Sequence, residues 1–193
     1  QALAEGRPAS IVTPVHWLDE LEGRAAAALP GPVYAYYRQG AGQEVTAAEA
    51  TPAWDRLRFR PRALRNVSAP ATATTVLGTP VRTPILVGPT TLQRHAHPDG
   101  EVATATGAAA AGVLIGVTSN TGVPFDAIEA TGAPWWRQIY VTRDRGPTIE
   151  LLRRAVAAGA RAVVLTADTP VVGRKRGTGQ GVWDLTPDDY LHA

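Results

Sequence analysis

Apolar positions recur at helical spacing from Val15 through Leu18, Leu21 and Ala25, behind Thr13-Pro14, a hydroxyl cap followed by proline at a first helical position. The spacing predicts a helix over about 14–28, interrupted by Pro30-Gly31-Pro32. Val33, Tyr36 and Tyr37 predict a short second helix ending in the Gly40-Ala41-Gly42 turn, and Ala47, Ala50 and Trp54 predict a third over about 46–57. Beyond the basic connector 58–65, the stretch 74–77, the pair Gly78-Thr79 and the stretch 80–83 read as a hairpin with a tight turn.

From residue 85 the period changes. Short β-branched runs at 85–87, 113–117, 137–141 and 162–166 alternate with Ala-rich amphipathic stretches at about 99–111 and 145–158 and a shorter one near 125–130. Uninterrupted apolar strands alternating with helices indicate a parallel sheet, because only a sheet covered on both faces tolerates such runs. A barrel and an open doubly wound sheet share these units. A closed eightfold barrel needs about 250 residues, so the four units expected here would be half of one. The Gly/Arg-rich stretch 173–181 has no apolar period and reads as a mobile loop, after which 184–192 begins something weakly helical.

Composition narrows the class. With 193 residues, 45% hydrophobic and 19% charged, the chain can build one globular core. Its formal charge of +2 is spread along the sequence, which argues against nucleic acid or an anionic membrane as partner. There is no cysteine, so disulfides, thiolate metal sites and a thiol nucleophile are excluded. No apolar run approaches the roughly 20 residues of a membrane span, and Gln1 to Ser10 lacks the layout of a signal peptide, so a cytoplasmic location is expected. The absence of any methionine predicts that the sequence begins inside a longer gene product.

In parallel βα folds chemistry collects at the C-terminal ends of the strands. There the chain places Gly88-Pro89-Thr90-Thr91, then Thr118-Ser119-Asn120, then Gln138 and Tyr140, then Thr166-Ala167-Asp168-Thr169-Pro170. Small hydroxyls, an amide and a phenol can hydrogen-bond the edge of a flat heteroaromatic ring without adding charge, although hydroxyls at strand ends also serve simply as helix caps. Other signals weigh less. His95 and His97 lack a third ligand at convincing spacing, so no metal is expected. Gly40-Ala41-Gly42 follows a helix rather than a strand and fails the context of a dinucleotide fingerprint. Trp135-Trp136 reads as core packing, and Asp168 as a hydrogen-bonded carboxylate at a strand end.

Five segments occur in a telling order: Tyr34-Ala35-Tyr36-Tyr37-Arg38-Gln39-Gly40-Ala41, Pro84-Ile85-Leu86-Val87-Gly88-Pro89-Thr90, His95-Ala96-His97-Pro98-Asp99-Gly100-Glu101, Gln138-Ile139-Tyr140-Val141, and the stretch from Leu165-Thr166-Ala167-Asp168 to Gly173-Arg174. Together they resemble the N-terminal half of the FMN-dependent α-hydroxy acid oxidases and dehydrogenases, the family of glycolate oxidase, lactate oxidase and mandelate dehydrogenase, over about 15–176. The resemblance implies a (β/α)8 TIM barrel to which this chain supplies the N-terminal helices, a β-hairpin and about four βα units. It implies one domain over 1–193, with a helical lead-in to 70, hairpin and first barrel strands over 71–172, and a mobile loop and truncated remainder over 173–193.

The resemblance also implies roles. Pro89, Thr90 and Thr91 would meet FMN through backbone and hydroxyl groups, and Thr118, Ser119, Gln138 and Thr166 would hydrogen-bond the isoalloxazine edge. Tyr36 and Tyr140 would hold the carboxylate and hydroxyl of a small 2-hydroxy acid, phenols being neutral at pH 7. Lys175 stands where the family has an arginine carboxylate clamp, and a lysine lacks the planar two-point contact, so Arg174 or Arg176 is the candidate to share that role. At Asn120 the family often has a bulkier or apolar residue.

No residue of this chain is expected to be the catalytic base. The family's histidine base, its lysine near the flavin and its phosphate-binding loops fall in the C-terminal half, and His192 has the wrong context. The expected activity is oxidation of an (S)-2-hydroxy acid to a 2-oxo acid, in partnership with that half as a second chain or a continuation, within a homo-oligomer. Two alternatives stand beside it: a noncatalytic half-barrel that binds a partner across its open edges, and another FMN barrel such as a type II isopentenyl diphosphate isomerase, against which the tyrosine-bearing N-terminal helix argues.

Overall fold

The computed structural model describes residues 17–168, 171 and 173–176. The expected helix start at 14–16, Thr169, Pro170, most of the expected 173–181 loop, the 184–192 stretch and His192 lie outside the described residues.

Three helices lead in as expected: α1 (Trp17–Ala28), α2 (Gly31–Arg38) and α3 (Val45–Asp55). The proline in the first turn of α2 fits there because the backbone N–H it removes would have no helical partner. Val33 of α2 is buried against Leu92, with Leu29, Tyr36 and Tyr37 packed around the pair, so the lead-in docks onto the segment that follows Val87. The expected hairpin forms from β1 (Thr74–Val76) and β2 (Thr79–Val81), antiparallel, with Thr74 opposite Val81.

The remainder is an α/β unit: α4 (Gln93–Ala96), α5 (Gly100–Ala111), β3 (Ile115–Val117), α6 (Phe125–Glu129), β4 (Trp135–Ile139), α7 (Gly146–Ala157) and β5 (Val163–Leu165). The strands pair in parallel in the order β3-β4-β5, with Ile115 opposite Trp135 and Arg137 opposite Val163. Three details differ from expectation. The run 85–87 is no full strand: only Val87 bridges in parallel to Ile115. β4 begins two residues before the expected 137, since the tryptophans belong to the strand. α4 was hidden in the His95–His97 stretch, a single turn opened by Leu92 at φ 60 and too short to show a period. No closed barrel is present among the described residues, and β5 is the last strand of their parallel sheet.

Alternation along the strands sorts their faces. Ile115, Val117 and Trp135 join Ala105 and Ala108 of α5, Ile128 of α6 and Ala155 of α7 in one buried cluster. The alanines let the helices approach the sheet closely, and each fully buried Ile or Val there contributes about 1.5–3 kcal/mol. The Trp135 indole N–H donates to Glu129 Oε2 at 2.8 Å, satisfying the one polar atom of a fully buried ring. Gly116, Trp136, Gln138, Val164 and Thr166 consequently sit on the opposite face. Among the described residues no helix is long and apolar enough to cross a membrane.

Candidate functional site

The site is assembled around Gln138, buried near the C-terminal end of β4. Its Oε1 accepts the Ser119 backbone N–H at 2.7 Å, and its Nε2 donates to Thr166 Oγ1 at 2.8 Å. One amide thereby ties together the C-terminal ends of β3, β4 and β5. Thr118, also buried, accepts the Asn120 N–H on its hydroxyl at 3.3 Å and so shapes the turn leaving β3.

From the other edge comes the segment after Val87. A Cβ placed on Gly116 would lie 2.9 Å from Pro89 Cδ and 3.1 Å from Pro89 N, so only glycine lets this proline ring rest on β3. Thr90 is exposed and turns its hydroxyl to the Gly88 carbonyl at 3.4 Å, so its side chain does not join the Gln138 group. The Thr91 carbonyl accepts the Tyr37 hydroxyl at 2.7 Å. Thr91 Oγ1 and Ser119 Oγ are buried with no hydrogen-bond partner among the described residues. Unsatisfied buried hydroxyls cost free energy unless something meets them.

A second group collects beside this one. Lys175 places Nζ 4.1 Å from the centroid of the Tyr36 ring and donates to the Tyr36 carbonyl. Tyr140 lies close enough for its charge to influence Tyr36. Burial and then Tyr140 push the Tyr36 phenol above its ordinary pKa, so it stays neutral. Tyr37 is raised to about 12, by burial first and then by Tyr36 and Glu101. Burial lowers Lys175. Arg174 enters through its backbone, its carbonyl accepting the Gly42 N–H at 2.8 Å, while its side chain is exposed. Of the predicted residues, then, Ser119, Gln138 and Thr166 are directly joined, and Tyr36 meets Lys175.

Two residues near the site were not expected to take part in it: the sequence reads Trp136 as core packing and gives Arg137 no role. Trp136 stands opposite Gly116 on the face that carries Gln138, and its indole N–H is buried without a partner among the described residues. Strand parity could have separated it from Trp135. Arg137 is buried within β4, donating to the Thr118 carbonyl at 2.6 Å and the Ser119 carbonyl at 3.3 Å. A lone cation inside an apolar strand was the available signal. His97, by contrast, builds a turn: its Nδ1 accepts the Asp99 N–H at 3.2 Å.

Known proteins resemble this arrangement closely. Over 158 residues the chain is 43% identical to glycolate oxidase 3 of Arabidopsis thaliana, covering 81% of this chain and 43% of that protein. It is 40% identical over 172 residues to glycolate oxidase of Spinacia oleracea, covering 88% and 46% respectively. Among solved structures, mandelate oxidase with 3,3-difluoro-2-hydroxy-3-phenylpropionic acid superposes with a TM-score of 0.77 at 35% identity, over 82% of this chain and 48% of that one. The chain thus spans about half the length of the relatives it matches. A family model described as FMN-dependent dehydrogenase matches residues 25–186, a stretch that takes in both residue groups above, and the chain belongs to that family.

Proposed function

We propose that the whole protein oxidises an (S)-2-hydroxy acid to a 2-oxo acid with FMN as cofactor, and that this chain supplies part of the flavin and substrate pocket. The observation that carries the reading is the Gln138 bridge, which gathers neutral hydrogen-bonding groups from three consecutive parallel strands at one end of the sheet. The residues fit a planar, polar-edged ring: Thr91 Oγ1 and Ser119 Oγ are buried and await partners, and Gly116 keeps Pro89 low over the strand. Pro89, Thr90, Thr91, Thr118, Ser119, Gln138 and Thr166 would hold the flavin. When bound, it supplies a two-electron acceptor. Tyr36 and Tyr140 would orient the hydroxy acid by neutral phenol hydrogen bonds. Lys175 and Arg174 would offer positive charge to its carboxylate.

The same proposal completes the fold as a (β/α)8 barrel. The remaining strands, the proton-accepting base and the phosphate-binding loops would come from a C-terminal half, as a continuation or a second chain. Glycolate and mandelate, the acids named in the relatives, are the first substrates to try. A cytoplasmic location and a homo-oligomeric intact enzyme belong to this proposal, to be decided by cell fractionation and light scattering.

The test is a visible spectrum of the protein with its C-terminal half. Flavin absorbance that bleaches anaerobically on adding glycolate, lactate or mandelate is expected. Colourless protein after incubation with FMN refutes the reading. A second reading, a noncatalytic half-barrel that binds a partner, is favoured by one feature: Val163 and Leu165 on β5 are 46% and 53% exposed. It predicts, in a mass spectrum of purified material, one species near 20.3 kDa and no companion fragment.

A further inference from the structure

The His97-Pro98-Asp99-Gly100-Glu101 segment contributes no group to the pocket above, yet it carries a buried acid. Glu101 is 1% exposed. Gly100 has φ +49, and a Cβ there would lie 2.7 Å from Arg94 Cγ and 3.3 Å from Arg94 N. Glycine thus lets α4 fold back on the start of α5, which brings Arg94 beside Glu101. Arg94 donates to the Gly122 carbonyl at 3.2 Å.

Arg137 reaches the same segment from β4. It is also 1% exposed, lies 4.7 Å from the centroid of the Phe125 ring, and donates to the carbonyls of Thr118 and Ser119. Arg154 stands farther out over the same ring, at 5.9 Å. Burial is the largest influence on Glu101 and raises its pKa; against it the charge of Arg94 favours the carboxylate, and the Glu101 charge in turn favours the guanidinium of Arg137, which burial opposes. The Thr121 hydroxyl and the Gly122 N–H also favour the carboxylate, although neither oxygen closes a hydrogen bond of good geometry. One half-buried cation, Arg94, and one buried cation, Arg137, therefore end on carbonyls at the two ends of one segment, 118–122, and the buried Glu101 carboxylate attracts both.

We infer that Glu101, Arg94 and Arg137 form a charge cluster that grips the 118–122 segment from the helix side of the sheet, making Glu101 a positioning residue for Thr118 and Ser119. The inference rests on the reading that these two residues meet the flavin. Its mechanism is electrostatic. A buried cation held by a counterion keeps its hydrogen-bond direction, whereas one left alone is driven toward water and releases the carbonyls it holds.

Amide hydrogen exchange on the 193-residue chain, read by mass spectrometry on peptides covering 118–123, tests this without any flavin. Glu101→Gln keeps the shape and removes the charge; Glu101→Ala removes both. Both are expected to speed exchange over 118–123 by about tenfold or more while α5 and β4 keep wild-type protection. Wild-type exchange in Glu101→Gln, whatever Glu101→Ala does, would reduce the residue to a space filler and overturn the inference, as would a uniform rise across the sheet. Should Glu101→Gln fail to fold, Arg94→Met decides: faster exchange confined to 121–123 is expected, and no change there overturns the cluster. A colourless protein would refute the flavin reading and leave the exchange result standing, so the two failures are distinguishable.

Discussion

The Tyr37 hydroxyl donates to the Thr91 carbonyl at 2.7 Å across 54 residues of sequence. This bond joins the helical lead-in to the segment that follows Val87. Tyr37→Phe keeps the ring against Val33 and Leu92 and leaves the carbonyl short of a partner. A loss of about 1–2 kcal/mol is expected, read as a fall in Tm of about 2–8 °C at this chain length.

Gln138→Leu tests the bridge itself. It removes two hydrogen bonds among the ends of β3, β4 and β5 while nearly conserving volume, and should cost about 1–3 kcal/mol in chemical denaturation. Under the proposed function it also lowers FMN affinity, measured by quenching of flavin fluorescence.

Gly116→Ala pushes a methyl into the Pro89 ring. Overpacking of this kind costs about 1–3 kcal/mol. Because the strain falls on the segment bearing Thr90 and Thr91, FMN retention should fall further than stability alone predicts, which paired melts with and without FMN would show.

Lys175→Arg offers two parallel N–H donors where one ammonium now stands over Tyr36. In the intact enzyme the expected outcome is a KM for the 2-hydroxy acid lower by up to about tenfold, one good charge-assisted bond being worth about 1.4 kcal/mol or more. Steady-state kinetics with the paired variants check it.

Glu101 gives the stability a pH signature. Burial raises its pKa above the ordinary carboxylate value, against the opposing pull of Thr121, Gly122 and Arg94. A carboxyl whose folded pKa lies above its unfolded one favours folding while protonated, and that advantage is lost as pH rises through the folded pKa. Wild-type Tm should therefore fall over that interval relative to Glu101→Gln, whose amide does not titrate. Parallel profiles for the two proteins would contradict this assignment.

Much of the architecture was legible because burial leaves a period. The three lead-in helices, the hairpin, and the helices α5 and α7 follow from apolar spacing and from Gly/Pro punctuation. Boundaries slipped where chemistry and period disagreed. Trp135 and Trp136 look alike in sequence but face opposite sides of β4, one in the helix-side core and one beside Gly116. The run 85–87 has strand composition, yet only Val87 finds a partner. At the site, strand ends and the family resemblance pointed to Ser119, Gln138 and Thr166, whose direct linkage is visible only in three dimensions. For the burial of Arg137 the sequence offered only a lone cation in an apolar strand, because its environment is built from α5, α6 and the β3 turn, all distant in sequence or turned away from the pocket.

The hairpin adds a practical consequence. The Arg82 N–H after β2 donates to the Gly112 carbonyl, just before β3, whereas Thr118 and Ser119 leave the far end of that strand. The hairpin thus meets the sheet at the entry to β3, at the end opposite the candidate site. Leu77, exposed at the hairpin tip of a cysteine-free chain, is therefore a place for a single thiol-directed fluorophore that reports on tumbling or assembly without touching ligand chemistry.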